Sequence, residues 1–347
     1  MSALTAALGQ IDKIGAEGDM DANATDPVTF DSGDVCDPIT LPEGNIVYPP
    51  TVHGEPLHEL AANLMAGENP GRSRFLRMIG PPGVGKSALW RCIAYTLWIR
   101  RGRQVETRDG SPFYGFTEVQ LGPEADEHSV RQQYVPLEDG TVKLVDSGIV
   151  TTLRDGGLVV LDEINVAREV ALITLNPALA AGNNFTLYLP STGESVTAHP
   201  WFRCGLSYNA GLVGATDLPE AWYSRFPAAI EVTSNWGALV KIGVPERLVA
   251  AAARLDQLRL AGEDSLSWCP QFRELESLHH LTERVGERMA ISLFASDLHE
   301  RTLGGRIQEA EAAAACRMLD EAGYGRLKVG ASSRIPHLHG YARAVAR

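Results

Sequence analysis

Gly80-Pro81-Pro82-Gly83-Val84-Gly85-Lys86-Ser87 is the stretch that decides the fold. It has the form G-x-x-x-x-G-K-S, follows the apolar run Phe75-Leu76-Arg77-Met78-Ile79, and leads into a helical pattern from Lys86 to about Arg100. Strand, glycine-rich turn and helix in that order make a polyphosphate cradle. The glycines let backbone N–H groups curl round an anion, and the helix N-terminus adds unpaired donors and a positive dipole end. Gly80, Pro82, Gly83, Val84 and Gly85 are the expected backbone contacts. Lys86 is placed to reach the β- and γ-phosphates, and the Ser87 hydroxyl to take one position on Mg²⁺. A plain surface turn is the competing reading, and the flanking strand and helix weigh against it. The pattern points to a nucleoside triphosphate.

A second pattern strengthens the first. Gly157-Leu158-Val159-Val160-Leu161-Asp162-Glu163-Ile164-Asn165 carries four consecutive apolar residues without alternation, as a strand buried on both faces requires. Two carboxylates stand at its C-terminal end, the edge where open α/β sheets bind ligands. Asp162 is expected to hold Mg²⁺ through water, and Glu163 to orient the attacking water or accept its proton. Acids after a strand are often only a solvated turn; the phosphate loop upstream makes the chemical reading the better one.

Composition bounds the rest. A chain of 347 residues is long enough for two units, and a net charge of −12 argues against a bulk surface that grips nucleic acid. Residues 1–45 hold nine acids against Lys13 alone and read as a disordered acidic tail. Residues 323–347 carry five basic residues and no acid, a basic C-terminal tail or final helix. The five cysteines, Cys36, Cys92, Cys204, Cys269 and Cys316, are odd in number and lack C-x-x-C spacing, which suits reduced thiols in a cytoplasmic protein. No signal peptide, no G-x-S-x-G, no H-E-x-x-H and no apolar run near membrane-spanning length is found.

Between the tails the chain divides in two. Residues 46–235 alternate strands and helices, with hairpins expected at Tyr134–Val145 and Phe185–Ala198 and a buried strand at Phe202–Ser207 ending in Tyr208-Asn209. Pro49-Pro50 reads as a rigid spacer, and Pro56–Ala66 as a helix burying Leu57, Leu60, Ala61 and Leu64. Residues 236–322 show no strand pattern and read as a small helical domain, with helices expected at Val244–Leu260, Pro270–Val285, Arg288–Leu298 and Gln308–Ala322.

The order of P-loop, first hairpin, carboxylate strand, second hairpin, strand ending in Asn and helical lid resembles an AAA+ ATPase. Within that superfamily it is similar to the MoxR and dynein-related group, with its CbbQ, NorQ, CobS and GvpN proteins and the midasin modules. The resemblance covers roughly residues 46–300. It implies an α/β P-loop NTPase fold, a parallel sheet sandwiched by helices with a small helical lid, using ATP and Mg²⁺. It also implies that Asn209 is the first sensor of the γ-phosphate or attacking water, and that Arg273 in Phe272-Arg273-Glu274-Leu275 is the second sensor. Leu218-Pro219-Glu220-Ala221-Trp222-Tyr223-Ser224-Arg225-Phe226-Pro227 resembles the family's LPEALLDRFP, which makes Arg225 the expected arginine finger. Val166 and Ser224 stand where that group often has arginine and aspartate. A homo-hexameric ring that remodels or activates a client protein, with a partner carrying a von Willebrand factor A domain, is what the resemblance implies. The alternatives are a nucleic-acid motor, such as a nucleotide-driven restriction-type subunit, and a nucleotide switch with little turnover.

Overall fold

The computed structural model describes residues 28–29, 31–66, 74–102, 115–179, 186–209, 218–262 and 266–324. The first 27 residues of the expected acidic tail, Ala210, and the basic stretch from 325 onward lie outside the described residues.

Five parallel strands form the centre, in the spatial order Ala228–Glu231, Phe75–Ile79, Phe202–Tyr208, Gly157–Asp162, Phe116–Gln120. A two-residue sixth strand, Val28–Thr29, pairs with Ala228–Glu231 at the edge. Strand neighbours are far apart in sequence, because parallel pairing needs a crossover between them. Phe75–Ile79 sits between strands that come later in the chain, so its C-terminal end opens into a crevice between their loops.

Two apolar layers sandwich the sheet, and the alternation along Gly157–Asp162 shows how. Leu158 and Val160 face the cluster that holds Leu76, Met78 and Ile230, covered by Trp90 and Ile93 of the helix Lys86–Arg100. Val159 and Leu161 face the opposite cluster, with Ile149, Val150 and Leu153 of the helix Gly148–Asp155. Gly205 is a glycine for packing: a Cβ there would stand 2.6 Å from the Trp90 ring. The helix Gly148–Asp155 begins where its sequence says it should, with Ser147 Oγ accepting from Val150 N at 3.2 Å.

Both expected hairpins form, as Gln132–Pro136 with Val142–Asp146 and as Thr186–Leu189 with Glu194–Thr197. Residues 236–324 build a separate apolar cluster from the helices Trp236–Lys241, Glu246–Leu260, Phe272–Val285, Glu287–Leu303 and Glu309–Glu321.

Three expectations need correction. The acidic segment is not unstructured up to residue 45: Val28–Thr29 joins the main sheet, Asp31–Val35 pairs with Pro50–Val52, and Leu41 is buried. Its net charge hid a few β-branched and apolar residues that suffice for short edge pairings. Pro49-Pro50 is no spacer, since Pro50–Val52 also pairs with Glu55–Pro56. The helix Leu57–Ala66 buries Leu57, His58, Ala61, Ala62 and Met65, while Leu64 is exposed, so its inner face is rotated from the expected one.

Candidate nucleotide site

The C-terminal ends of the strands and the P-loop enclose a cleft of about 520 Å³. Gly80 is tied to the sheet: its N–H donates to Tyr208 O at 3.3 Å, and a Cβ there would lie 2.1 Å from Val232 O. No other residue fits that position. Gly83 and Gly85 have φ of +84° and +97°, the left-handed region that favours glycine. Val84 between them is buried in the core and anchors the loop, while Pro82 lines the cleft. The first helical bond after the loop runs from Leu89 N to Gly85 O. The N–H groups of Lys86, Ser87 and Ala88 therefore precede it, which leaves them as donors for an anion.

Lys86 is the hub. Its Nζ donates to Gly80 O and Pro81 O at 2.8 Å each and to Asn209 Oδ1 at 2.5 Å. Burial pushes its ammonium down to about 8, against the pull of Asp162 and with the help of the Arg273 cation; Glu163 pulls the other way more weakly. Backbone carbonyls and the Asn209 amide thus occupy the lysine's donors.

Asp162 ends its strand and Glu163 follows in the left-handed region, at φ 55°. A non-glycine residue in that conformation costs roughly 1–3 kcal/mol and is held by its surroundings. Here Gln120, paired in register with Asp162 on the next strand, donates Nε2–H to Glu163 Oε2 at 2.8 Å. Asn165 Nδ2 donates to Asn209 O at 3.0 Å and so links the turn after the carboxylates to the end of the neighbouring strand.

Arg273 enters from the helical unit. Its N–H donates to Gly83 O at 3.1 Å, and its residue lines the cleft beside Phe272 and Glu276. A buried polar chain supports this contact. Ser234 Oγ accepts from Phe272 N at 2.9 Å and donates to Gln271 Oε1 at 2.9 Å, and Gln271 Nε2 donates to Asp256 Oδ1 at 3.1 Å. Ile46, Val47 and Tyr48 form the far wall, with Tyr48 O accepting from Asn235 Nδ2 at 2.9 Å.

The structure brings together Pro82 to Ser87, Asp162, Glu163, Asn209 and Arg273 on one cleft. Arg225 is not among its lining residues; it ends the short helix Glu220–Arg225, where its guanidinium donates to Ala221 O at 2.7 Å. Sequence reasoning missed Gln120, Asn165, Ser207 and the Ile46–Tyr48 wall. Gln120 was within reach, as the last polar residue of the strand Phe116–Gln120. The wall was not, because nothing local links residues before the P-loop to a cleft that only the folded chain forms.

Comparison with known proteins agrees with this geometry. Residues 76–226 match the AAA domain of the dynein-related subfamily. Similar proteins include an uncharacterized protein of Staphylococcus epidermidis, 28% identical over 171 residues, which are 48% of this chain and 59% of that protein. Midasin of Dictyostelium discoideum is 29% identical over 159 residues, 44% of this chain and 2% of midasin. An uncharacterized protein of Staphylococcus aureus is 26% identical over 189 residues, 53% of this chain and 65% of that protein. The chain thus spans less than two thirds of each of these relatives. A solved structure from Cytophaga hutchinsonii overlaps 67% of this chain and 74% of its own at 12% identity and a TM-score of 0.36, too loose a likeness to add to the argument.

The chain has a P-loop α/β sheet whose strand order and cleft fit the AAA fold. The likeness to the dynein-related AAA domain lies on residues 76–226, under half of the chain. No helix among the described residues is long and apolar enough to cross a membrane.

Proposed function

We propose that the protein hydrolyses ATP in this cleft and works as a homo-hexameric ring that remodels or activates a partner protein. The observation that carries the hydrolytic reading is Lys86, held at one point between the P-loop carbonyls and Asn209, with Asp162 and Glu163 on the same cleft. Arriving phosphates replace the carbonyls as partners of the ammonium and free Asn209 to meet the γ-phosphate or the attacking water. Glu163, oriented by Gln120, takes up the water's proton. The N–H groups of Lys86 to Ala88 receive phosphate oxygens, and Ile46 to Tyr48 with Ile242 give the base an apolar wall. Ser87 and Asp162 are the residues to hold Mg²⁺, which supplies neutralisation of charge on the β- and γ-phosphates. The donor set fits a hard cation: a hydroxyl, a carboxylate and room for water, with no thiolate.

Ring assembly has its support in Arg225. A guanidinium suited to a γ-phosphate stands outside its own chain's cleft, so it serves the site of a neighbouring subunit. A separate polypeptide with a von Willebrand factor A domain is the partner class that the family suggests. Mixing two variants tests the ring and the chemistry together. Arg225→Ala and Glu163→Gln alone should each lose most ATP turnover while retaining ATP binding, since both act on the transition state. Mixed rings regain activity at interfaces where an intact Glu163 meets an intact Arg225. Mixed rings, verified by mass, no more active than their parents would overturn the action across the interface.

A further inference from the structure

We propose that Ser207 is a positioning residue of the nucleotide cleft, whose hydroxyl oxygen accepts a hydrogen bond from a water ligand of the divalent cation beside Asp162. The inference rests on the nucleotide reading above and adds a residue to it. Ser207 is 1% exposed and lines the cleft, yet its Oγ is buried without a hydrogen-bond partner. A buried hydroxyl left in that state is a cost to the fold, and an alanine would pack the strand equally well. Its partner therefore arrives with a ligand.

The sheet register says which ligand. Ser207 pairs with Asp162 on one side and Met78 on the other, and neighbours in register on parallel strands point to the same face. That face is the one covered by the P-loop helix: Gly205, two residues earlier, lies under Trp90, and Met78 belongs to the same cluster as Trp90. Asn209, two residues later, meets Lys86. Ser207 thus stands in a polar row with Asp162 and Gln120 across three adjacent strands, next to the carboxylate assigned to the cation. A neutral acceptor there supports a cation-bound water without adding charge beside Lys86.

Manganese, a spectroscopic stand-in for Mg²⁺, gives a readout that does not depend on turnover. Mn²⁺ is titrated by electron paramagnetic resonance into protein saturated with the non-hydrolysable analogue adenylyl imidodiphosphate. Ser207→Ala should bind Mn²⁺ about tenfold more weakly, the effect of one hydrogen bond in the shell of a charged group. Its analogue affinity in EDTA and its melting temperature without ligand should not fall. Ser207→Thr, which keeps the hydroxyl, should bind Mn²⁺ as the wild type does. Unchanged Mn²⁺ affinity in Ser207→Ala overturns the proposal, as does a lower melting temperature of the empty protein. Equal losses in the alanine and threonine variants would trace the effect to packing and overturn it too. If the wild type takes up neither analogue nor Mn²⁺, the nucleotide reading itself falls.

Discussion

The two walls of the cleft are held by different physics. On the sheet side, Asp162, Glu163 and Asn209 stand at or just past the ends of adjacent parallel strands, so backbone register sets their spacing, and Lys86 at the start of the P-loop helix is bonded to Asn209. On the helical side, Arg273 reaches the P-loop through one backbone hydrogen bond to Gly83 and a buried side-chain chain from Ser234 through Gln271 to Asp256. A sheet resists displacement as a whole, whereas a helical unit tethered at a few points can shift as a body. The sheet side is therefore the stiffer wall, and the helical side the one held by fewer ties.

Substitutions should separate the walls. The largest effect belongs to Lys86→Ala, which removes the cation at the centre of the sheet side. ATP affinity should fall below what calorimetric titration detects, and undiminished affinity would break the assignment of that wall.

The same lysine predicts a pH dependence. Burial lowers the Lys86 ammonium to about 8, while a bound phosphate would stabilise the charged form. Binding then takes up a proton above that pH. The dissociation constant for ATP should be flat below about pH 8 and rise by up to about tenfold per pH unit above it. The lysine acts on folding with the opposite sign. Its folded-state value lies below the ordinary 10.5, so the penalty of burying the charge is fully present below about 8 and is relieved as pH rises from there toward 10.5. Affinity that stays flat through this window would move the shifted group elsewhere.

The helical wall should give the smallest effect on binding. Gln271→Ala strips partners from Ser234 and Asp256, both buried, and should lower global stability by about 1–3 kcal/mol in urea unfolding. ATP affinity should stay near that of the wild type, because no sheet-side group moves. A loss of binding as large as that of Lys86→Ala would erase the contrast between the walls.

The two walls also differ in how far the sequence reveals them. The sheet side is local text: a glycine pattern, an apolar run ending in two acids, an asparagine after a buried strand. Each signal lies within about ten residues, and each needs only strand and helix periodicity to be placed. The parallel sheet, both hairpins and the helical unit follow from the same periodicities. Gln120, Ser207 and Asn165 are different, since they matter through neighbours brought alongside by strand order, which no local pattern encodes. The Ile46–Tyr48 wall belongs with them. So does the misjudged acidic segment, whose charge outweighs in composition the few apolar residues that it buries, Leu41 among them.

Glu163 offers the most direct test of hydrolysis in this cleft, because it separates binding from chemistry on one residue. ATP binding and ATP turnover are measured side by side in the wild type and in Glu163→Gln. The amide keeps the shape and the approach to Gln120 but cannot take up the water's proton. The account predicts equal ATP affinity and turnover at least ~100-fold slower. Turnover at the wild-type rate in Glu163→Gln would contradict it.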